Sequence, residues 1–146
     1  MKPIQKLREA LAKKGLPLTQ QRLAVFEALE KAKDHPSAEA LHSALRERYP
    51  SLSLATVYKT LQTLKDVGLA QVVNAPHTEA RFDAITGVHH HAICQACGKI
   101  EDVFDDRLDK LAAPRVKGFR MSAHSVHFYG FCDRCKRKNL GGTKHG

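Results

Sequence analysis

The sequence predicts an α+β protein: an N-terminal winged helix-turn-helix unit followed by a small α/β unit built around a four-cysteine zinc site. Three observations carry this. Before residue 68, apolar residues recur at helical spacing in four stretches, each bounded by a capping residue, a Gly or a Pro. Over residues 69–85 the period shortens to two, the mark of a hairpin. After residue 88 come two C-x-x-C pairs and most of the nine histidines.

Residues 2–14 read as an amphipathic helix with Ile4, Leu7, Ala10 and Leu11 on one face, stopped by Gly15 and Pro17. Thr19 caps a second helix that runs to about Lys33, with Leu23, Val25, Phe26 and Leu29 as its apolar stripe. Asp34-His35-Pro36-Ser37 breaks it, and Ser37 caps a third helix that turns Ala38, Leu41, Leu45 and Tyr49 inward. Ser53 caps a fourth, with Leu54, Val57, Leu61 and Leu64 at helical spacing; Gly68 closes it and Leu69 supplies the accompanying apolar contact. Residues 69–74 and 80–85 are then the strands of a wing. Residues 84–88 are a connector. Beyond it, strands are expected at 89–94 and 99–104, a short helix at 105–113 ended by Pro114, a strand from Phe119 to Phe131, and a frayed basic tail from Lys136. The expected domains are therefore 1–83, 84–88 as connector, and 89–146.

Composition narrows the function. Twenty-four Lys and Arg against fifteen Asp and Glu give a formal charge of +9, spread over both halves. Such a chain suits an anionic partner, most simply nucleic acid. No apolar run is long enough to span a bilayer, and the first eleven residues lack a secretory core, so a cytoplasmic location is expected with no membrane partner.

Cys94-x-x-Cys97 and Cys132-x-x-Cys135 are separated by 34 residues. Two residues between cysteines let both sulfurs face one ion across a tight turn, and Gly98 relieves the backbone after the first pair. Four thiolates suit tetrahedral Zn²⁺ and leave no open position, so the site is structural. The alternative is two redox pairs or two disulfides.

His89-His90-His91 leads into Cys94. On a strand, His89 and His91 share a face, His90 points away, and Cys94 falls opposite His91. The His pair therefore belongs to a different ion from the thiolates. Asp83, Asp102 and His35 are candidate co-ligands, and a sulfur-free set suits Fe²⁺, Mn²⁺, Zn²⁺ or Ni²⁺. His124 and His127 are further ligands or exposed strand residues; His42, His77 and His145 read as surface residues.

Several runs together resemble the ferric uptake regulator (Fur) family of metal-dependent repressors: Thr19-Gln20-Gln21-Arg22, His35-Pro36-Ser37-Ala38-Glu39, residues 53–58, Arg81-Phe82-Asp83, residues 89–98, Gly118-Phe119 and residues 130–135. The resemblance implies a winged-helix DNA-binding domain, a C-terminal dimerisation domain and a homodimer. Within the family the chain most resembles the peroxide-responsive (PerR-type) repressors. This implies a regulatory Fe²⁺ or Mn²⁺ held by His35, Asp83, His89, His91 and Asp102. Val88 and His90 depart from the iron-type His-His-Asp-His run, which leaves the family's additional metal site, near His90 and His124, open.

By the same resemblance, the helix from Ser53 to Lys65 reads a pseudo-palindromic DNA operator. Tyr58 and Thr56 reach base edges, while Lys59, Lys65, Arg22 and Lys14 hold phosphates. The competing role for Tyr58 is packing beside Val57 and Leu61. Peroxide would act through iron-catalysed oxidation of His ligands, so the protein is a regulator and not an enzyme. Alternatives are a metal-uptake regulator blind to peroxide, a zinc hydrolase built on His89 and His91, and a zinc-ribbon interaction module. H-E-x-x-H is absent, and the winged-helix half argues against the last of these.

Overall fold

A computed structural model describes residues 1–76, 78–85 and 87–139. His77 and His145, read above as surface residues, lie outside the described residues. The chain forms two compact units, Met1–Asn74 with Thr78–Thr86, and Ala75–His77 with Gly87–Gly146.

The first unit holds four helices and a hairpin: α1 (Pro3–Ala12), α2 (Gln20–Lys31), α3 (Ala38–Leu45), α4 (Leu54–Asp66), β1 (Gln71–Val73) and β2 (Arg81–Asp83). The three expected caps form. The hydroxyls of Thr19, Ser37 and Ser53 each accept the amide N–H three residues on, at 3.1 Å. Each satisfies one of the amide donors that a helix start leaves without an intrahelical partner. At the end of α4, Gly68 takes φ 79°, a conformation that costs Gly nothing. The Leu69 N–H then reaches back to the Leu64 carbonyl at 2.8 Å and that of Gly68 to Lys65 at 3.1 Å, closing a Schellman motif.

These ends aim the apolar stripes at one core, in which Leu7, Leu11, Val25, Phe26, Leu29, Leu41, Val57, Leu61 and Leu64 are all buried. β1 and β2 pair antiparallel with Val72 opposite Phe82, and Phe82 joins that core. His42 is not a plain surface residue: it is half-buried, with Nε2 2.8 Å from the Leu52 carbonyl.

The second unit contains β3 (His90–Cys94), β4 (Ile100–Val103), α5 (Asp106–Asp109), β5 (His127–Gly130) and α6 (Asp133–Asn139). Its sheet runs β4-β3-β5, with β4 antiparallel and β5 parallel to β3. Three expectations need correction here. The helix expected over 105–113 is the single turn α5, which buries no residue. Pro114 disfavours helical backbone at Ala113, and one turn with nothing to pack against does not propagate. The strand expected over 119–131 shrinks to β5, because residues 111–125 are all exposed and the alternation beginning at Phe119 has no neighbouring strand to pair with before His127. The tail is helical at its start, since the second cysteine pair opens a helical turn that α6 continues to Asn139; residues 140–146 lie outside the described residues.

Leu61 sits at 0% exposure in the first core, and Leu61→Ala is expected to cost about 2–5 kcal/mol. Ser53→Ala is expected to cost only about 1 kcal/mol. The shift in the urea midpoint of the helical circular dichroism measures both.

Candidate metal centres and nucleic-acid interface

In the second unit, Cys94 ends β3, Cys97 lies on the turn before β4, Cys132 precedes α6 and Cys135 lies in its first turn. Gly98 allows the tight return at φ 77°, and its N–H meets the Cys94 carbonyl at 3.0 Å. The four sulfurs all lie within 4.8 Å of one another, and all four cysteines are free. The Cys97 and Cys132 sulfurs lie 3.8 Å apart, nearly twice a disulfide bond. Burial pushes the Cys94 thiol up, but the amide groups of Cys132, Cys97 and Ala96 outweigh it and bring it down to about 6. The Cys135 amide likewise lowers Cys132, whereas burial drives Cys135 up to about 12. Hydrogen bonds with the sulfurs of Cys97 and Cys135 hold the Arg134 guanidinium above its ordinary range, so a cation sits beside the cluster. Four converging sulfurs with no open side fit a tetrahedral Zn²⁺.

The same unit assembles a second donor set. His91 in β3 lies opposite Asp102 in β4. The Asp102 Oδ1 atom is 3.4 Å from His89 Nε2 and 3.5 Å from His91 Nε2. The two rings meet edge to face at 4.7 Å, and both residues are buried. His89 Nδ1 lies 2.8 Å from the Gly87 carbonyl, which can only accept. That nitrogen therefore carries a proton, and Nε2 is directed at Asp102. Two imidazole nitrogens directed at one carboxylate oxygen form a sulfur-free set around a single point, which fits a divalent ion of the Fe²⁺ or Mn²⁺ kind.

His90 points the other way and is fully buried. Its Nδ1 accepts the Val126 N–H at 3.0 Å, so its Nε2 carries the proton that goes to Asp109 Oδ1 at 2.9 Å. His124 stacks on it at 5.9 Å and places Nε2 2.7 Å from the Leu108 carbonyl. Both ring nitrogens of His90 are thus engaged within the unit, tying β3 to α5 and to the segment before β5. His127, opposite His91, packs edge-on against it at 5.4 Å.

In the first unit, His35 occupies the break between α2 and α3 at φ 53° and is 4% exposed. Its Nε2 lies 3.3 Å from Asp83 Oδ2 at the end of β2, while Asp83 Oδ1 accepts the Ile85 N–H at 2.8 Å. The arrangement is a second buried imidazole–carboxylate pair.

The same unit carries the residues expected to meet nucleic acid. Tyr58, Lys59 and Lys65 on α4 are exposed, as is Lys14 beyond α1, and Thr56 is half-exposed. Tyr58 at 43% exposure is no core residue. Ser53 is engaged as the α4 cap, and its hydroxyl also meets that of Thr56 at 2.8 Å. Arg22, Lys59, Thr19, Thr56, Thr60 and Thr63 line a polar groove of about 240 Å³ between α2 and α4. Glu39 on α3 escaped sequence reasoning: the Tyr58 hydroxyl donates to its carboxylate, a contact 19 residues apart that no local spacing signals. That bond holds the Glu39 carboxyl below, and the Tyr58 phenol above, its ordinary range.

The model of the ferric uptake regulator family matches residues 13–129. The chain is 38% identical over 132 residues to the peroxide operon regulator of Bacillus subtilis, covering 89% of this chain and 91% of that one. It is 35% identical to the peroxide-responsive repressor PerR of Staphylococcus epidermidis, covering 88% and 87% respectively. The crystal structure of the Campylobacter jejuni peroxide stress regulator superposes with a TM-score of 0.65 at 32% identity, over 92% of this chain and 100% of that one.

Co²⁺ exchanged into the four-thiol site is expected to give the intense visible absorption of a tetrahedral thiolate-bound ion. Cys97→Ser is expected to shift and weaken it. Weak, octahedral-type absorption from the parent protein would overturn the four-sulfur assignment.

Proposed function

The chain belongs to the ferric uptake regulator family, and from that premise we propose that it is a metal-dependent, DNA-binding transcriptional repressor of the PerR type that responds to peroxide. The observation that carries this reading is the pair of buried imidazoles, His89 and His91, facing one oxygen of Asp102 on a strand that also supplies a thiol to a separate sulfur site. Two donor chemistries on one strand suit two ions with different duties. Zn²⁺ in the four-thiol site is structural. The regulatory site takes Fe²⁺ or Mn²⁺ through His35, Asp83, His89, His91 and Asp102, so that one ion draws on residues of both units and favours the DNA-binding arrangement by differential affinity.

When bound, Fe²⁺ supplies one-electron reduction of hydrogen peroxide, which produces a strong oxidant beside the imidazoles. The chain's own residues set the consequence. His35, His89 and His91 are each buried, so an oxidant formed beside them would meet a ligand before it met solvent. An oxygenated imidazole would be a poorer donor, and the chain's hold on the DNA-binding domain would be lost. Because the oxidised residue is the protein's own, the event happens once per chain and is not turnover.

For DNA, residues 1–83 form the reading domain. Tyr58 and Thr56 address base edges, and Lys59, Lys65, Arg22 and Lys14 address phosphates, with Ser53 fixing the start of the recognition helix. The metal-binding domain, residues 89–146 beyond the 84–88 connector, pairs with a second copy. Phe104, Phe119, Phe128, Tyr129 and Phe131 are all exposed on the second unit, an apolar excess that supports a homodimer on a pseudo-palindromic operator. No helix among the described residues is long and apolar enough to cross a membrane, and the cytoplasm, where the operator lies, is the proposed location.

Four expected outcomes test this. His35→Ala abolishes the gain in operator affinity on adding Mn²⁺, read by fluorescence anisotropy. Stoichiometric peroxide given to the Fe²⁺-loaded protein adds one oxygen to peptides containing His35, His89 or His91, read by mass spectrometry; metal-dependent binding that survives peroxide would instead mark a metal-uptake regulator. Tyr58→Ala lowers operator affinity by about 1–3 kcal/mol and blurs discrimination between bases. Lys59→Ala, by contrast, weakens all sequences alike and reduces the salt slope by about one.

A further inference from the structure

We infer that Arg81 is a positioning residue for the regulatory ion: its guanidinium grips the backbone that carries His35 and so presents that imidazole to Asp83. This rests on the reading of His35 and Asp83 as ligands. His35 is the one non-glycine residue with positive φ among the described residues, at 53°. A side chain rarely adopts that conformation, and it persists only where the surroundings impose it. Here the imposing group is Arg81, whose Nε donates to the His35 carbonyl and whose Nη2 donates to that of Asp34. Two consecutive carbonyls face one planar fork, a match that Arg makes and the single ammonium of Lys does not.

The rest of β2 completes the attachment. The Phe82 N–H donates to the Pro36 carbonyl at 3.0 Å, and Arg81 bridges to Ser37. Arg81 and Asp83 are two residues apart on this strand, so they share a face. One strand face thus supplies both the cation that fixes the loop and the carboxylate that meets its imidazole, 3.3 Å from His35 Nε2. Arg81 touches the backbone of a ligand, so its effect on the ion is indirect, through the angle at which His35 is offered.

The experiment uses the full chain with its structural zinc retained and Mn²⁺ as the probe. Free Mn²⁺ is titrated by electron paramagnetic resonance for the parent, Arg81→Gln, Arg81→Lys, His35→Ala and the Arg81→Gln/His35→Ala double variant. Arg81→Gln is expected to raise the Mn²⁺ Kd about 10- to 100-fold, the usual penalty for losing a partner that orients a ligand. Arg81→Lys recovers part of the loss, with zinc content and helical circular dichroism unchanged. Adding Arg81→Gln to His35→Ala costs no further affinity, because Arg81 works through His35.

Parent-like Mn²⁺ affinity in Arg81→Gln, or full additivity in the double variant, overturns the inference. Where Arg81→Gln folds poorly, Arg81→Lys decides, with parent-like affinity counting against. His35→Ala binding Mn²⁺ like the parent would instead sink the ligand assignment itself, so the two failures are distinguishable.

Discussion

The chemistry of the second unit depends on the pleat of β3. Alternation sends His91, with His89 just before the strand, toward Asp102, and His90 toward Asp109 and Val126. A slip of one residue would set Glu101 or Val103 opposite His91 and turn the imidazoles away from their carboxylate. Register therefore has to be enforced, and the apolar means are scant: Ile93 and Ile100 are the buried aliphatic side chains of this sheet. Enforcement comes from polar devices at both ends of the strand. The four-thiol site ties the β3 terminus to the turn before β4 and to the head of α6. On the same face, at the other end, His90 pins the strand to α5 and to the segment before β5. A four-thiolate zinc site contributes its binding energy as folding energy, so the sulfur site underwrites the geometry of the imidazole site three residues away.

Much of this was legible in the chain because it is local. Thr19, Ser37, Ser53 and Gly68 announce helix ends by chemistry that acts within four residues. The strict two-residue period of a strand is enough to separate the faces of His89, His90 and His91. The matched C-x-x-C pairs point to one ion because two residues between cysteines allow little else. What the sequence could not give depends on distant partners. The one-turn α5 and the short β5 follow from a lack of neighbours over residues 111–125, which alternation at Phe119 and Met121 does not reveal. Glu39 and Tyr58 meet across two helices, and Arg81 reaches carbonyls 46 and 47 residues back. The sequence turns His90 away from His89 and His91, but the partners of its two ring nitrogens, Asp109 and Val126, lie 19 and 36 residues away.

The sulfur and imidazole sites differ in what they demand of the protein without an ion. Four thiols drawn within 4.8 Å of one another have little to neutralise them once ionised, beyond amide N–H groups and the Arg134 guanidinium. Such a site favours permanent occupancy. The imidazole sets are different. Within the first unit His35 faces Asp83, and within the second His89 and His91 face Asp102. Each acid already has a base opposite it, so no carboxylate stands buried and alone, the arrangement that would cost most.

That difference suits a switch. A regulatory site that unfolded its protein when empty could report nothing but damage, and one indifferent to the ion could not report at all. Imidazole–carboxylate pairs stand between these limits: with a proton between them they satisfy one another in the empty state, and on the proposed reading a divalent ion would take that proton's place. The ion then adds only the difference between holding its ligands in one arrangement and in many. A population shift of a few kcal/mol needs no more than that. On the proposed reading, oxidation of one imidazole would remove a comparable amount, so a single altered histidine would suffice to reverse the state.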